Sequence, residues 1–114
     1  MITVNNIPTD MDQVASMVQA AAAAGHPTTA TDVINKGLQQ SAQDYMDEAT
    51  EGSYFSAHLS GNQITIDDMN GKQVATIRTP AASYAEAFKA NPRQTLTNID
   101  NDLRHLIDTR QIAL

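Results

Sequence analysis

Between residues 53 and 79 the apolar residues recur at every second position, and two turn signals divide the run. Phe55, Ala57 and Leu59 alternate with Tyr54, Ser56, His58 and Ser60, the period of a strand with one buried face. Gly61-Asn62 is a two-residue hairpin signal, and Asn70-Gly71 marks a second turn in a loop of about four residues. Folding back at Gly61-Asn62 sets Leu59 opposite Ile64 and Ala57 opposite Ile66. If Ile66 then pairs with Ala75, Ile64 pairs with Ile77. Every apolar partner falls on one face, whereas a slip of one residue would scatter them over both. The spacing therefore predicts a three-stranded antiparallel meander with one greasy side, which helices must cover.

The rest of the chain supplies those helices. Pro8-Thr9-Asp10 is helix-start chemistry, with Thr9 or Asp10 as the N-cap. From Met11 to Ala24 the period is helical, and Met11, Val14, Ala15, Val18 and Ala22 share a face. Gly25 and Pro27 end that helix. A Thr in Thr28-Thr29-Ala30-Thr31-Asp32 caps a second helix, whose face is Ile34, Leu38, Ala42 or Ser41, Tyr45 and Ala49, with Val33 and Met46 alongside. Gly37 inside it costs about 1 kcal/mol relative to Ala, and either close packing or nothing in particular accounts for it.

Pro80 closes the sheet. Ser83 to Ala90 reads as a short helix with Tyr84, Ala87 and Phe88 inward. Asn91-Pro92 opens the last helix, which aligns Leu96, Ile99, Leu103, Leu106 and Ile107. Asp100 and Arg104 stand in the favourable i,i+4 order for an ion pair. The expected class is α+β: an N-terminal short strand (Ile2-Thr3-Val4) and helical hairpin, a three-stranded antiparallel β-meander, and two C-terminal helices. A boundary near Thr50-Glu51-Gly52 divides a helical unit, residues 1–50, from residues 51–114.

With 41% hydrophobic and 18% charged residues, the chain can bury a core. It has no Cys, which excludes disulfides, a thiol nucleophile and thiolate zinc sites. No apolar run reaches the ~20 residues needed to span a bilayer, and Met1-Ile2-Thr3-Val4-Asn5-Asn6 lacks the start of a signal peptide. The expectation is a soluble cytoplasmic protein.

Catalytic chemistry finds little support. His26 precedes Pro27 in a turn, and His58 lies on the polar face of the first strand, near Thr65 in the expected register. His105 stands between Asp102 and Asp108 over too wide an arc for a metal site. Asp67-Asp68-Met69-Asn70-Gly71 has a calcium loop's composition without its spacing. No Gly-x-Ser-x-Gly elbow or phosphate-cradling loop occurs. The chain is read as a non-enzyme with no cofactor and no metal.

Charge is unevenly placed. The whole chain carries -6. Residues 1–50 hold Lys36 alone against Asp10, Asp12, Asp32, Asp44, Asp47 and Glu48, a net -5, while residues 51–114 are nearly balanced at -1. The acidic half repels nucleic acid and attracts basic proteins. Asp10, Asp12, Asp44, Asp47 and Glu48 are the candidate residues for binding a basic protein partner.

A short strand, a helix, a turn at Gly25, and then Thr29-Ala30-Thr31-Asp32-Val33-Ile34-Asn35-Lys36-Gly37-Leu38 is an order that resembles the ribbon-helix-helix module of small dimeric repressors and antitoxins. The resemblance covers residues 2–46. It implies a homodimer in which Ile2-Thr3-Val4 pairs with its twin, Ile2 and Val4 face the core, and Thr3 and Asn5 face the DNA major groove. The ribbon and first helix hold no Lys or Arg, so charge disfavours DNA. Two readings stand: a small dimeric regulator or antitoxin acting by non-covalent binding, and an acidic protein-interaction module (an immunity, inhibitor or phage accessory protein) that binds a basic partner and no DNA.

Overall fold

A computed structural model describes residues 7–51, 54–109 and 112. Two helices, α1 (Met11–Ala23) and α2 (Ala30–Ala49), come first. Strands β1 (Ser56–Ser60), β2 (Gln63–Asp67) and β3 (Gln73–Arg78) follow, then helices α3 (Tyr84–Ala90) and α4 (Pro92–Asp108). The architecture is α+β. Among the described residues a helix opens the order. The expected N-terminal strand, residues 2–4, lies outside them.

Local chemistry sets the helix limits. Asp10 is the N-cap of α1: its carboxylate accepts from the Gln13 amide at 2.8 Å, and Gln13 in turn accepts from the Thr9 amide at 2.9 Å. At the other end the His26 amide bonds Ala21 and the Gly25 amide bonds Ala22. Gly25 at φ 82° makes that reversal possible without a Cβ penalty. Thr29 caps α2 by accepting from the Asp32 amide at 3.1 Å.

The meander forms in the expected register: Leu59↔Ile64, Ala57↔Ile66, Ile64↔Ile77 and Ile66↔Ala75. A bulge next to Ile66 and Asp67 sets Asp67 against Gln73 and leaves Val74 as the extra residue. The loop before it is organised by Asp68, whose carboxylate accepts from the Asn70 and Lys72 amides, both at 2.9 Å. The Asp-rich stretch is a hairpin turn with its acid spent on the backbone.

Both halves of the chain feed one hydrophobic cluster. Ala57, Ile64, Ile66 and Ile77 pack with Ile34, Leu38, Ala42 and Met46 of α2, Phe88 of α3, and Ile99 and Leu103 of α4. α2 lies along β1, α4 packs on α2 and approaches β3, and α3 fills the gap beside both. The expected helical faces are rotated in places. On α1 only Val14 is buried, Met11 and Val18 are half-buried, and Ala15 and Ala22 are exposed. Among the well-populated contacts α1 touches only α2, so a narrow stripe suffices. On α2 Met46 is fully buried and Tyr45 only half, and on α3 Ala85 replaces Ala87 inside. The buried Thr95 of α4 returns its hydroxyl proton to the Asn91 carbonyl at 2.9 Å.

The Tyr84 hydroxyl is buried and has no hydrogen-bond partner among the described residues. Burial, with the Asp102 carboxylate adding, pushes its pKa up to about 12. Tyr84→Phe removes an unsatisfied group and is expected to stabilise the fold by about 1 kcal/mol at pH 7. A tyrosine with a raised folded pKa keeps its full contribution below the unfolded value near 10. That contribution is lost as pH climbs through the folded value. Urea midpoints between pH 9 and 11.5 should therefore fall for the wild type and stay flatter for Tyr84→Phe.

Candidate functional site

Two surfaces emerge, an acidic helical face and an open sheet edge with a pocket. Asp44, Asp47 and Glu48 lie on the C-terminal half of α2. Asp44 accepts from the Gln40 side chain at 2.7 Å and Asp47 from Gln43 at 2.9 Å, while Glu48 is exposed. Asp10 and Asp12 do not join them. They sit at the start of α1, where neighbouring Pro8 packs on Gly37, about 15 Å along α2 from Asp47 at 1.5 Å per residue. Asp10 is also committed as a cap, and Asp12 is exposed in the first turn. Thr3 and Asn5 lie outside the described residues.

α4 completes the acidic face. The half-buried Asp100 has its carboxyl pKa raised, first by burial and then by the Glu48 carboxylate across the helix pair. Half-buried Tyr45 has a raised phenol pKa. Burial is the main cause, Arg104 opposes it, and Asp100, Asp108 and Glu48 add to it. The expected Asp100–Arg104 ion pair is not formed. Arg104 instead donates to Asn101 at 3.4 Å and its charge bears on Tyr45. Asn101, one turn back along α4, takes the guanidinium that the sequence spacing assigns to Asp100. Sequence reasoning counted the α2 acids but missed Asp100 and Asp108, because only tertiary packing brings α4 beside them.

The sign of the Asp100 shift gives a test. A carboxyl with a raised folded pKa favours the fold while protonated, and that advantage disappears as pH rises through the folded value. Asp100→Asn should therefore raise the thermal midpoint at pH 7 and leave it unchanged near pH 3, read by scanning calorimetry at both pH values.

The second surface is at the sheet. At one end Tyr54, Phe55, Met69 and Val74 line an open pocket of about 490 Å³, with Asp68 and Lys72 at its rim. Tyr54 and Met69 are 54% and 75% exposed. On the polar face His58 stands opposite Thr65, and its Nε2 lies 3.3 Å from Asp67 Oδ2. The β1 edge is sealed by α2: Gln43 accepts from the Ala57 amide at 2.8 Å and donates to the Phe55 carbonyl at 2.8 Å. Gln39 accepts from the Leu59 amide at 3.0 Å.

No group of three or more potential metal ligands converges among the described residues. None of the helices among those residues is long and apolar enough to cross a membrane. No protein-family model, curated protein or solved structure matches the chain.

Proposed function

We propose that the chain is a non-enzymatic binding module whose acidic face on α2 and α4 captures a basic protein partner. The observation that supports this is the gathering of Asp44, Asp47 and Glu48 on the last turns of α2, beside Asp100 of α4, whose carboxyl pKa is raised first by burial and then by Glu48. Like charges held together cost stability in the free protein, and a cationic partner removes that cost on binding. The net charge of -6 adds long-range attraction that falls with salt.

The test is a titration of a fluorescein-labelled, Lys/Arg-rich helical peptide against the full chain, with a duplex DNA probe in parallel. The peptide should bind, with a Kd that rises steeply with salt, and the duplex should not. Asp44→Asn with Glu48→Gln should weaken the peptide about tenfold, or ~1.4 kcal/mol. Asp47 is left intact because it holds Gln43. Peptide binding that ignores both substitutions sinks the proposal.

The second reading is an antitoxin-like dimeric regulator, with a basic toxin as the partner and duplex DNA as a further ligand. The helical hairpin and the Thr29 cap favour it. Against it, Val33, Ile34, Leu38, Ala42 and Met46 are buried within one chain, so α2 has no free apolar face for a twin. Light scattering decides: a mass twice 12.3 kDa, with duplex binding lost in Thr3→Ala/Asn5→Ala, supports the regulator.

A further inference from the structure

The two edges of the sheet differ. α2 seals the β1 edge through Gln39 and Gln43. In an antiparallel ladder, successive residues send their N–H and C=O groups alternately to one side and the other. Ala57 and Leu59 face α2, so Ile64 and Ile66 face β3, and Ala75 and Ile77 face back to β2. Thr76 and Arg78 then turn their backbone groups away from the sheet. Among the described residues no hydrogen bond reaches those groups. This edge is a template for another strand.

The pocket adjoins the start of the same strand. The bulged Val74 and half-buried Phe55 extend the sheet's apolar face to Tyr54 and Met69. The charged side chains at the two ends of β3 are cationic. Lys72 and Arg78 bracket β3, the strand between them carries no charge, and neither forms an ion pair among the described residues. The nearest acids keep their charge but are turned elsewhere: the Asp68 carboxylate to its own loop amides, and Asp67 to His58 on β1.

We propose that the β3 edge is a strand-addition site for an extended acidic segment of another protein, with one large apolar side chain seated in the Tyr54–Met69 pocket. Main-chain bonds to Thr76 and Arg78 supply affinity. The pocket and the flanking cations supply specificity. A second copy of this chain fits less well. Antiparallel pairing of β3 with its twin about Thr76 brings Arg78 of each copy beside Lys72 of the other, like charges at both ends of the ladder.

The experiment is selection of a phage-displayed random peptide library on the full chain, followed by titration of the recovered peptide. Selected sequences should lack Pro, carry Asp or Glu, and share one large apolar residue. Binding should protect the Thr76 and Arg78 amides from hydrogen exchange. Thr76→Pro should abolish it, since Pro is tolerated where an edge N–H points to solvent and removes that donor. Lys72→Glu/Arg78→Glu should weaken it about tenfold or more, and this variant also covers a Thr76→Pro chain that fails to fold by circular dichroism. Asp44→Asn/Glu48→Gln should leave it unchanged, which separates this site from the acidic face. Failure to enrich any peptide, enrichment of basic sequences, or concentration-dependent dimerisation lost in Thr76→Pro would each overturn the proposal.

Discussion

Gln43→Ala is expected to lower stability by about 2–3 kcal/mol, read from urea midpoints at constant m value. The substitution touches no core apolar group. It removes the acceptor of the Ala57 amide and the donor to the Phe55 carbonyl, both partly buried. Ala57 is 3% exposed, so water cannot readily take over, and an orphaned backbone donor costs about 1–3 kcal/mol. The Ala57 amide should lose protection from hydrogen exchange in Gln43→Ala, while Ile64 and Ile66 in the middle strand keep theirs. Gln39→Ala, whose bond to Leu59 is exposed, should cost well under half as much. Unchanged Ala57 exchange in Gln43→Ala would mean that α2 does not seal this edge.

That seal was not legible in the sequence. The spacing of Gln39 and Gln43 is visible, but two glutamines on a helix read as solvated surface until the helix is laid along a strand edge. The meander itself was legible, register included, because each strand alternates and a one-residue slip exposes Ile64 and Ile66. Helix starts were legible for the same local reason: Asp10, a Thr before α2 (Thr29) and Asn91 each accept from an amide three residues on, as does Ser83, which the spacing counts within α3 and which is instead its cap. Which face of each helix is buried was less so. Period alone places Ala15 and Ala22 with Val14, but only contact with α2 decides how wide a stripe is covered.

The candidate site follows the same division. Composition revealed an acidic half, and three of its acids do gather at the end of α2. Their companions on α4, and the contrast between a sealed and an open sheet edge, depend on tertiary placement. Asp100 illustrates the limit. Read along the helix it pairs with Arg104, whereas across the helix pair it faces Glu48.

Gly37→Val is expected to destabilise the fold by about 3 kcal/mol, a fall in thermal midpoint of roughly 10 °C. An ordinary helix interior would reward the loss of a glycine by about 1 kcal/mol on changing to Ala. Here a Cβ at residue 37 would stand 2.6 Å from Pro8 Cδ and 3.3 Å from Cγ. Pro8 is a rigid ring, itself fully buried, and cannot swing aside as a flexible side chain could. Close packing therefore accounts for the glycine. The ring also fixes the chain entering α1, so displacing it loosens the Asp10 cap two residues on. Because the clash involves ring atoms that alanine lacks, the effect of adding a Cβ should change sign with the partner. Gly37→Ala destabilises the wild type, yet stabilises a Pro8→Ala background by about 1 kcal/mol. A double-mutant cycle with four denaturation curves measures this directly. Equal effects of Gly37→Ala in both backgrounds would show that Pro8 does not pack on α2 at this glycine.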